Sequence, residues 1–278
     1  MLKRILLVVS LGVLLATMAL ANTGCASSSG FTSMIAKVPE DTTSLKYVNV
    51  KALRSDADLD NLYDAWKASV SSGLEVLNIN YSDVNVFTHG SSVDRRFTLL
   101  VGKFDLDKVR EELDDRGYDE GEYKGVEVWE KEVGLGSVLE SRVALMGNMV
   151  IAGNEDGVEG CISVMKSGSS SWLSDSDVND VANRLPGGVY VDMQEQELAS
   201  LFIKGLEVYG LSAKKLDADT LKMAGVAKFD SENHADDADG AIKNQMELQQ
   251  FNKVDISQKG DFLEASAELD IDKAESLF

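Results

Sequence analysis

Three aspartate-rich stretches offer the first candidates for chemistry, because alternating carboxylates open the loops that wrap calcium. They are Asp56-x-Asp58-x-Asp60, Asp175-x-Asp177-x-Asn179 and Asp237-x-Asp239-Gly240. Such a loop needs Gly at its sixth position and a bidentate Glu at its twelfth. Counted from Asp56, those positions hold Asn61 and Lys67; counted from Asp175, they hold Asp180 and Pro186. With Asp239-Gly240 placed fifth and sixth, Ala235 stands first and Met246 twelfth. All three fail, so no metal site is expected and the aspartates are read as helix caps. His234 among Asp230, Glu232, Asp236 and Asp237 is the one crowd of histidine and carboxylates. No ligand spacing covers it, and it reads as a solvated loop before a helix.

Nucleophilic chemistry fares no better. A serine nucleophile would depend on His89 or His234, both in polar surroundings, and no Gly-x-Ser-x-Gly elbow occurs. Gly134-Leu-Gly136 and Gly147 to Gly153 lack phosphate-binding spacing and a following Lys-Ser/Thr. Cys161 shares a helical face with Val158, Ile162 and Met165, where a thiol packs as a small hydrophobe. Trp66, Trp129 and Trp172 could line a sugar or lipid site, but Trp66 falls on the apolar stripe of its own helix. Carboxylates are too abundant for a glycosidase pair to be chosen from sequence. No catalytic residue and no cofactor is expected.

The bulk properties agree. The 278 residues are 44% hydrophobic and 27% charged, enough for a substantial core, and carry a net charge of −20. A surface that acidic repels phosphate backbones and excludes a nucleic-acid partner. Two cysteines cannot build a disulfide framework or a four-cysteine zinc site.

The strongest signal is at the start. Lys3-Arg4 precedes an uncharged apolar run from Ile5 to Leu20. Sixteen helical residues reach about 24 Å, short of the roughly 30 Å hydrocarbon core, so a cleaved export signal is expected over a permanent span. Two processing sites compete. Ala19-Leu20-Ala21 fits ordinary cleavage after Ala21. Thr23-Gly24-Cys25, followed by Ala26-Ser-Ser-Ser-Gly30, resembles a bacterial lipoprotein signal, in which the cysteine takes a diacylglycerol and becomes the first mature residue. Asn22 stands where that signal prefers Leu. The second reading is preferred, with Cys25 as the lipid attachment site and residues 1–24 removed. Losing Lys3 and Arg4 leaves 25 cationic against 47 acidic side chains, a mature charge of −22. Only an acyl tether would then hold the protein against anionic lipid.

The elements follow from periodicity. Residues 25–37 read as a Ser/Gly-rich tether, 38–184 as a first α+β repeat and 185–278 as a shorter second one. Leu59, Leu62, Tyr63, Trp66, Val70, Leu74 and Leu77 predict a helix capped at Ser55-Asp56. Strands are expected over 83–89 and 95–103 with a turn at Gly90-Ser91-Ser92, and over 124–131 and 143–151. Helices are expected from Phe104-Asp105 to Gly117, over 155–166 and over 177–184. In the second half, Leu198, Leu201, Phe202, Gly205, Leu206 and Tyr209 predict a helix. A strand over 221–229, a helix over 236–249 and a hairpin turning at Gly260-Asp261 follow. Short turns demand antiparallel pairing, giving antiparallel sheets with amphipathic helices packed on one face.

Several blocks then stand out together: Gly102-Lys-Phe-Asp105, Gly117-Tyr118, Glu122-Tyr-Lys-Gly-Val126, Val128-Trp129, Ala144 to Gly153 and Gly225-Val-Ala-Lys-Phe-Asp230. Their order resembles a group of uncharacterised exported lipoproteins of archaea and bacteria. The resemblance implies an extracytoplasmic, membrane-tethered α+β protein and brings no catalytic residues with it. The expectation is a non-enzymatic binding or envelope-structural module outside the cytoplasmic membrane, its ligand or protein partner unidentified. A carrier of an apolar or lipid-like ligand is the alternative, and a carboxylate-dependent envelope hydrolase a more distant one.

Overall fold

A computed structural model describes residues 29–132, 141–195, 203–248 and 251–278. Residues 1–28, Cys25 among them, lie outside these; of the expected tether 25–37, residues 29–37 are described, and Ser29–Ile35 is a helix with Phe31, Met34 and Ile35 buried, so this part packs as core and is no free coil. The fold is α+β, with every strand pair within each of its two compact units antiparallel. One unit is Ser33–Leu173 with Glu275–Phe278; the other is built mainly from Ser174–Ala274.

The first unit carries strands β1 (Ser44–Val48), β2 (Val84–Ser91), β3 (Arg96–Gly102), β4 (Asp119–Tyr123), β5 (Val126–Glu130), β6 (Arg142–Met146) and β7 (Met149–Gly153). Their spatial order is β1-β2-β3-β7-β6-β5-β4. Four helices of this unit matter below: α2 (Val50–Arg54), α3 (Asp60–Val76), α4 (Leu106–Asp115) and α5 (Glu155–Ser167); a short α1 (Ser29–Ile35) precedes them. The 59/62/66/74 stripe of α3 is buried as its spacing requires, and Trp66 is 1% exposed between the rings of Tyr63, Tyr81 and Phe87. Asp56 accepts from the Asp58 amide and Asp105 from that of Lys108, so both act as caps.

The second unit holds α6 (Ser176–Arg184), β8 (Tyr190–Glu195), β9 (Leu206–Lys215), β10 (Thr220–Phe229), α7 (Glu232–Leu248), β11 (Asn252–Lys259) and β12 (Phe262–Asp270). Its strands run β8-β9-β10-β12-β11. Asp175 caps α6 through the amides of Asp177 and Val178. Val181 and Leu185 lie over Gly210, where a side chain on β9 would crowd them. Helix α7 lies against β11, β10 and β12.

Four further sequence expectations need correction here. The β2–β3 turn is not at 90–92 but at 92–95, closed by the Ser92 amide on the Arg95 carbonyl at 2.9 Å. Gly90 stays in the strand because the ring of its cross-strand partner Phe97 lies over it. The single strand expected over 143–151 is two, since Gly147 adopts φ +61° and folds β6 back on β7. Likewise the strand expected over 124–131 is confined to 126–130 and is the second arm of a hairpin. Lys124 and Gly125, at φ +50° and +73°, make the primed turn that joins β5 to an acidic β4. Last, Leu206 and Tyr209 do not lie on a helix. Gly205 at φ +75° begins β9, and residues 206–213 are buried on both sides apart from Glu207, so the apolar run is a central strand. Leu198, Leu201 and Phe202 fall outside the described residues.

Candidate functional site

The most site-like feature is a cavity of about 430 Å³ in the first unit. It is assembled by local chemistry from four places in the chain. Asn154 caps α5 by accepting from the Gly157 amide at 3.1 Å, and the same oxygen takes the Arg96 amide at 2.9 Å. Its side-chain amide donates to the Asp94 carbonyl at 2.6 Å, which pins the β2–β3 turn to the start of the helix. At the other end of α5, Gly168 turns left-handed at φ +66°. The chain then returns so that Ser171 bridges Pro39 and the Trp172 amide donates to the Val38 carbonyl at 2.9 Å. Residues 39–41 are thereby set facing the exposed side of α5.

Two glycines allow that approach. A side chain at Gly157 would collide with the Arg96 carbonyl oxygen. One at Gly160 would meet Pro39 Cγ at 2.8 Å and Arg95 Nη1 at 3.0 Å. Arg95 therefore crosses the bare helix surface and reaches Asp41, Nη1 to Oδ1 2.7 Å.

The walls are polar. Glu40, Asp41, Asp156 and Glu159 contribute four carboxylates against the single guanidinium of Arg95. Glu159 is paired with Arg142, a 10%-exposed side chain on β6 that also meets Glu130 and, at 3.3 Å, Glu155. Ser163 takes a hydrogen bond from Lys124 Nζ at 2.8 Å and lies 3.3 Å from the Tyr123 hydroxyl. The left-handed turn at Lys124 aims that ammonium back at α5, where Ser167 also accepts it at 3.0 Å. Because Lys124 can only donate, Ser163 must use its own proton elsewhere, toward Tyr123 or the open cavity.

The sequence-selected candidates do not converge here. Cys161 lies on the opposite face of α5, fully buried, with burial raising its thiol pKa well above the ordinary range. His89 sits in β2 with Nδ1 3.1 Å from Thr98 Oγ1. His234 is inside α7, not in a loop, and binds Asp230 at 2.5 Å; that bond holds the Asp230 carboxyl below its usual pKa. Trp129 donates to Glu127 Oε1 at 2.8 Å, and Trp172 is completely buried. Among the described residues no three His, Cys, Asp or Glu side chains gather as metal ligands.

A second polar cluster lies in the second unit. Lys228 Nζ reaches Asp261 at 2.5 Å, Glu207 at 3.8 Å and Asp177 at 4.0 Å. Burial, then the neighbouring Asp177 charge, raises the Glu207 pKa, whereas the hydrogen bond from Lys228 lowers that of Asp261. Its cation is internal: a single ammonium is shared by the three carboxylates.

Sequence reasoning missed Glu40, Asp41, Arg95, Tyr123, Asp156, Glu159 and Ser163. The readable trace was Gly157-x-x-Gly160, two glycines one turn apart inside a helix, where a close approach must justify their cost.

The comparisons add one relative. Over 221 residues the chain is 25% identical to an uncharacterised protein of Methanocaldococcus jannaschii, covering 75% of this chain and 74% of the relative. No family model matches, and no solved structure matches. No helix among the described residues is long and apolar enough to cross a membrane.

Proposed function

We propose that this chain is an exported, non-enzymatic binding module held on the outer face of the cytoplasmic membrane by a lipid on Cys25. The observation that carries the reading is the leader itself, Lys3-Arg4 followed by sixteen apolar residues and Thr23-Gly24-Cys25. The acidic body supports tethering over direct adsorption, since anionic headgroups repel it. The cavity beside α5 supports binding as the role. Its size lies in the range that encloses small ligands, and its polar walls favour a polar ligand over an apolar one.

The test is a block of lipoprotein signal processing in cells expressing the full chain. A larger precursor should accumulate in the membrane fraction, and Cys25→Ala, which removes the acyl acceptor at the cleavage site, should leave the same uncleaved precursor even without the block. Unchanged processing under the block, or normal cleavage of the Cys25→Ala chain, would contradict the anchor. Cleavage after Ala21 in the wild-type chain would mean secretion instead.

A further inference from the structure

We propose that the cavity beside α5 binds a small organic cation that also carries hydroxyl oxygens, such as an amino alcohol or amino sugar. This deepens the binding-module reading by naming the ligand class, and it rests on that reading only for its biological setting.

The cavity's charge is unbalanced in a specific way. Arg95 satisfies Asp41, and Arg142 satisfies Glu159 from below. Among the described residues Glu40 and Asp156 have no cationic partner, though both line the same space. Two carboxylates on separate walls attract one ammonium group more strongly than either does alone, because their fields add within a concave surface. This differs from the Lys228 cluster, where the protein supplies the cation itself.

The opposite wall asks for oxygen. Lys124 fixes Ser163 as an acceptor on one side, leaving its proton for Tyr123 or a ligand. If Ser163 donates to Tyr123, the phenol proton is in turn free for the cavity. Either arrangement presents one hydroxyl donor to an incoming hydroxyl or ether oxygen. Anions are disfavoured, since a carboxylate or phosphate would face the unpaired Glu40 and Asp156, while Arg95 is paired with Asp41 and the Lys124 ammonium is engaged by Ser163 and Ser167. Apolar ligands would strand these polar groups without water.

Rigidity comes from the frame. Asn154 locks the β2–β3 turn to α5, and Gly160 lets Arg95 lie flat on the helix instead of swinging into the cavity.

The test is isothermal titration of the purified full chain at low salt with glucosamine and with ethanolamine, using N-acetylglucosamine as the neutral counterpart. At least one amine should bind saturably at a single site, with the acetylated sugar ~10-fold weaker or worse, the size expected for losing one charged hydrogen bond. Asp156→Asn should weaken the amine to a similar extent and Ser163→Ala by a few-fold, while Asp217→Asn on the other unit should change nothing. Absence of saturation with both amines below ~10 mM would overturn the proposal. So would equal binding of N-acetylglucosamine, or undiminished binding by Asp156→Asn. Titration of purified protein is independent of location, so failure here and failure of the lipid anchor are told apart.

Discussion

The two units solve one topological problem with different surroundings. Removing the β4–β5 hairpin from the first leaves β1-β2-β3-β7-β6, the same spatial and chain order as β8-β9-β10-β12-β11 in the second. What the first unit adds is the cavity's own material: the β4–β5 turn with Tyr123 and Lys124, and α5 following β7. After β12 the chain makes only a short 3₁₀ segment, Ile271–Leu277. A shared sheet can thus serve as a scaffold in both, while the site depends on what is attached to one. We propose that the correspondence reflects the tandem repeats expected from the order of elements.

This contrast can be strained experimentally, and the protein supplies the reporter. Trp66, Trp129 and Trp172 are the only tryptophans and all lie in the first unit, so their fluorescence follows that unit while far-UV circular dichroism follows both. The largest expected effect is Trp66→Ala, which empties a fully packed position on α3 and should cost ~3–5 kcal/mol in denaturant unfolding. A loss below 1 kcal/mol would show that the stripe is not the first unit's core.

Gly157→Ala comes next. Its added methyl meets backbone, which cannot rotate away, so ~1–3 kcal/mol should be lost together with amine binding. Unchanged stability would remove the argument that close packing of α5 builds the cavity.

Glu127→Gln should cost about 1 kcal/mol at pH 7. The pair Glu127 makes with Arg110 is bidentate, both bonds 2.8 Å, but Arg110 is 37% exposed and screened. That guanidinium holds the Glu127 carboxyl below its usual pKa. The stabilisation is therefore complete above the unfolded value near 4.3 and disappears as pH falls through the folded one. The gap between wild type and variant should begin to close as pH falls below the unfolded value and vanish only below the lowered folded one; a gap that stays constant with pH would assign the effect to something other than the ion pair.

Smallest is Gly240→Ala on α7, where nothing lies within 4 Å of the added methyl. It should stabilise the second unit by ~0.5–1 kcal/mol, seen by circular dichroism, and leave amine binding untouched.

Much of the fold could be read because its signals are local. The stripe of α3, the caps Asp56, Asp105 and Asp175, and the Gly260-Asp261 turn each depend on residues within one or two turns of one another. The misreading at 205–213 has a physical basis. Leu206 and Tyr209 fit helical spacing while Leu206 and Val208 fit a strand, and burial on both faces erased the alternation that separates them. At 143–151 the run Val-Ala-Leu-Met-Gly-Asn-Met-Val-Ile hid its turn because only Gly147-Asn148 marks it. The cavity was beyond local reading altogether. Glu40, Arg95, Tyr123 and Asp156 are separated by tens of residues and meet only through β-pairing and the Asn154 bridge. Conversely, His234 and the aspartate runs carry chemical residue types that the structure accounts for by ion pairing and, at Asp56 and Asp175, capping; Asp237 and Asp239, read as caps, lie instead inside α7, because that helix begins earlier, at Glu232.

The most direct test of the account is the intact mass of the amino-terminal peptide from native protein extracted from membranes. The account predicts a chain beginning at Cys25 and carrying diacylglycerol on its sulfur. A chain that begins at Met1 in the soluble fraction, with an unmodified Cys25, would contradict it.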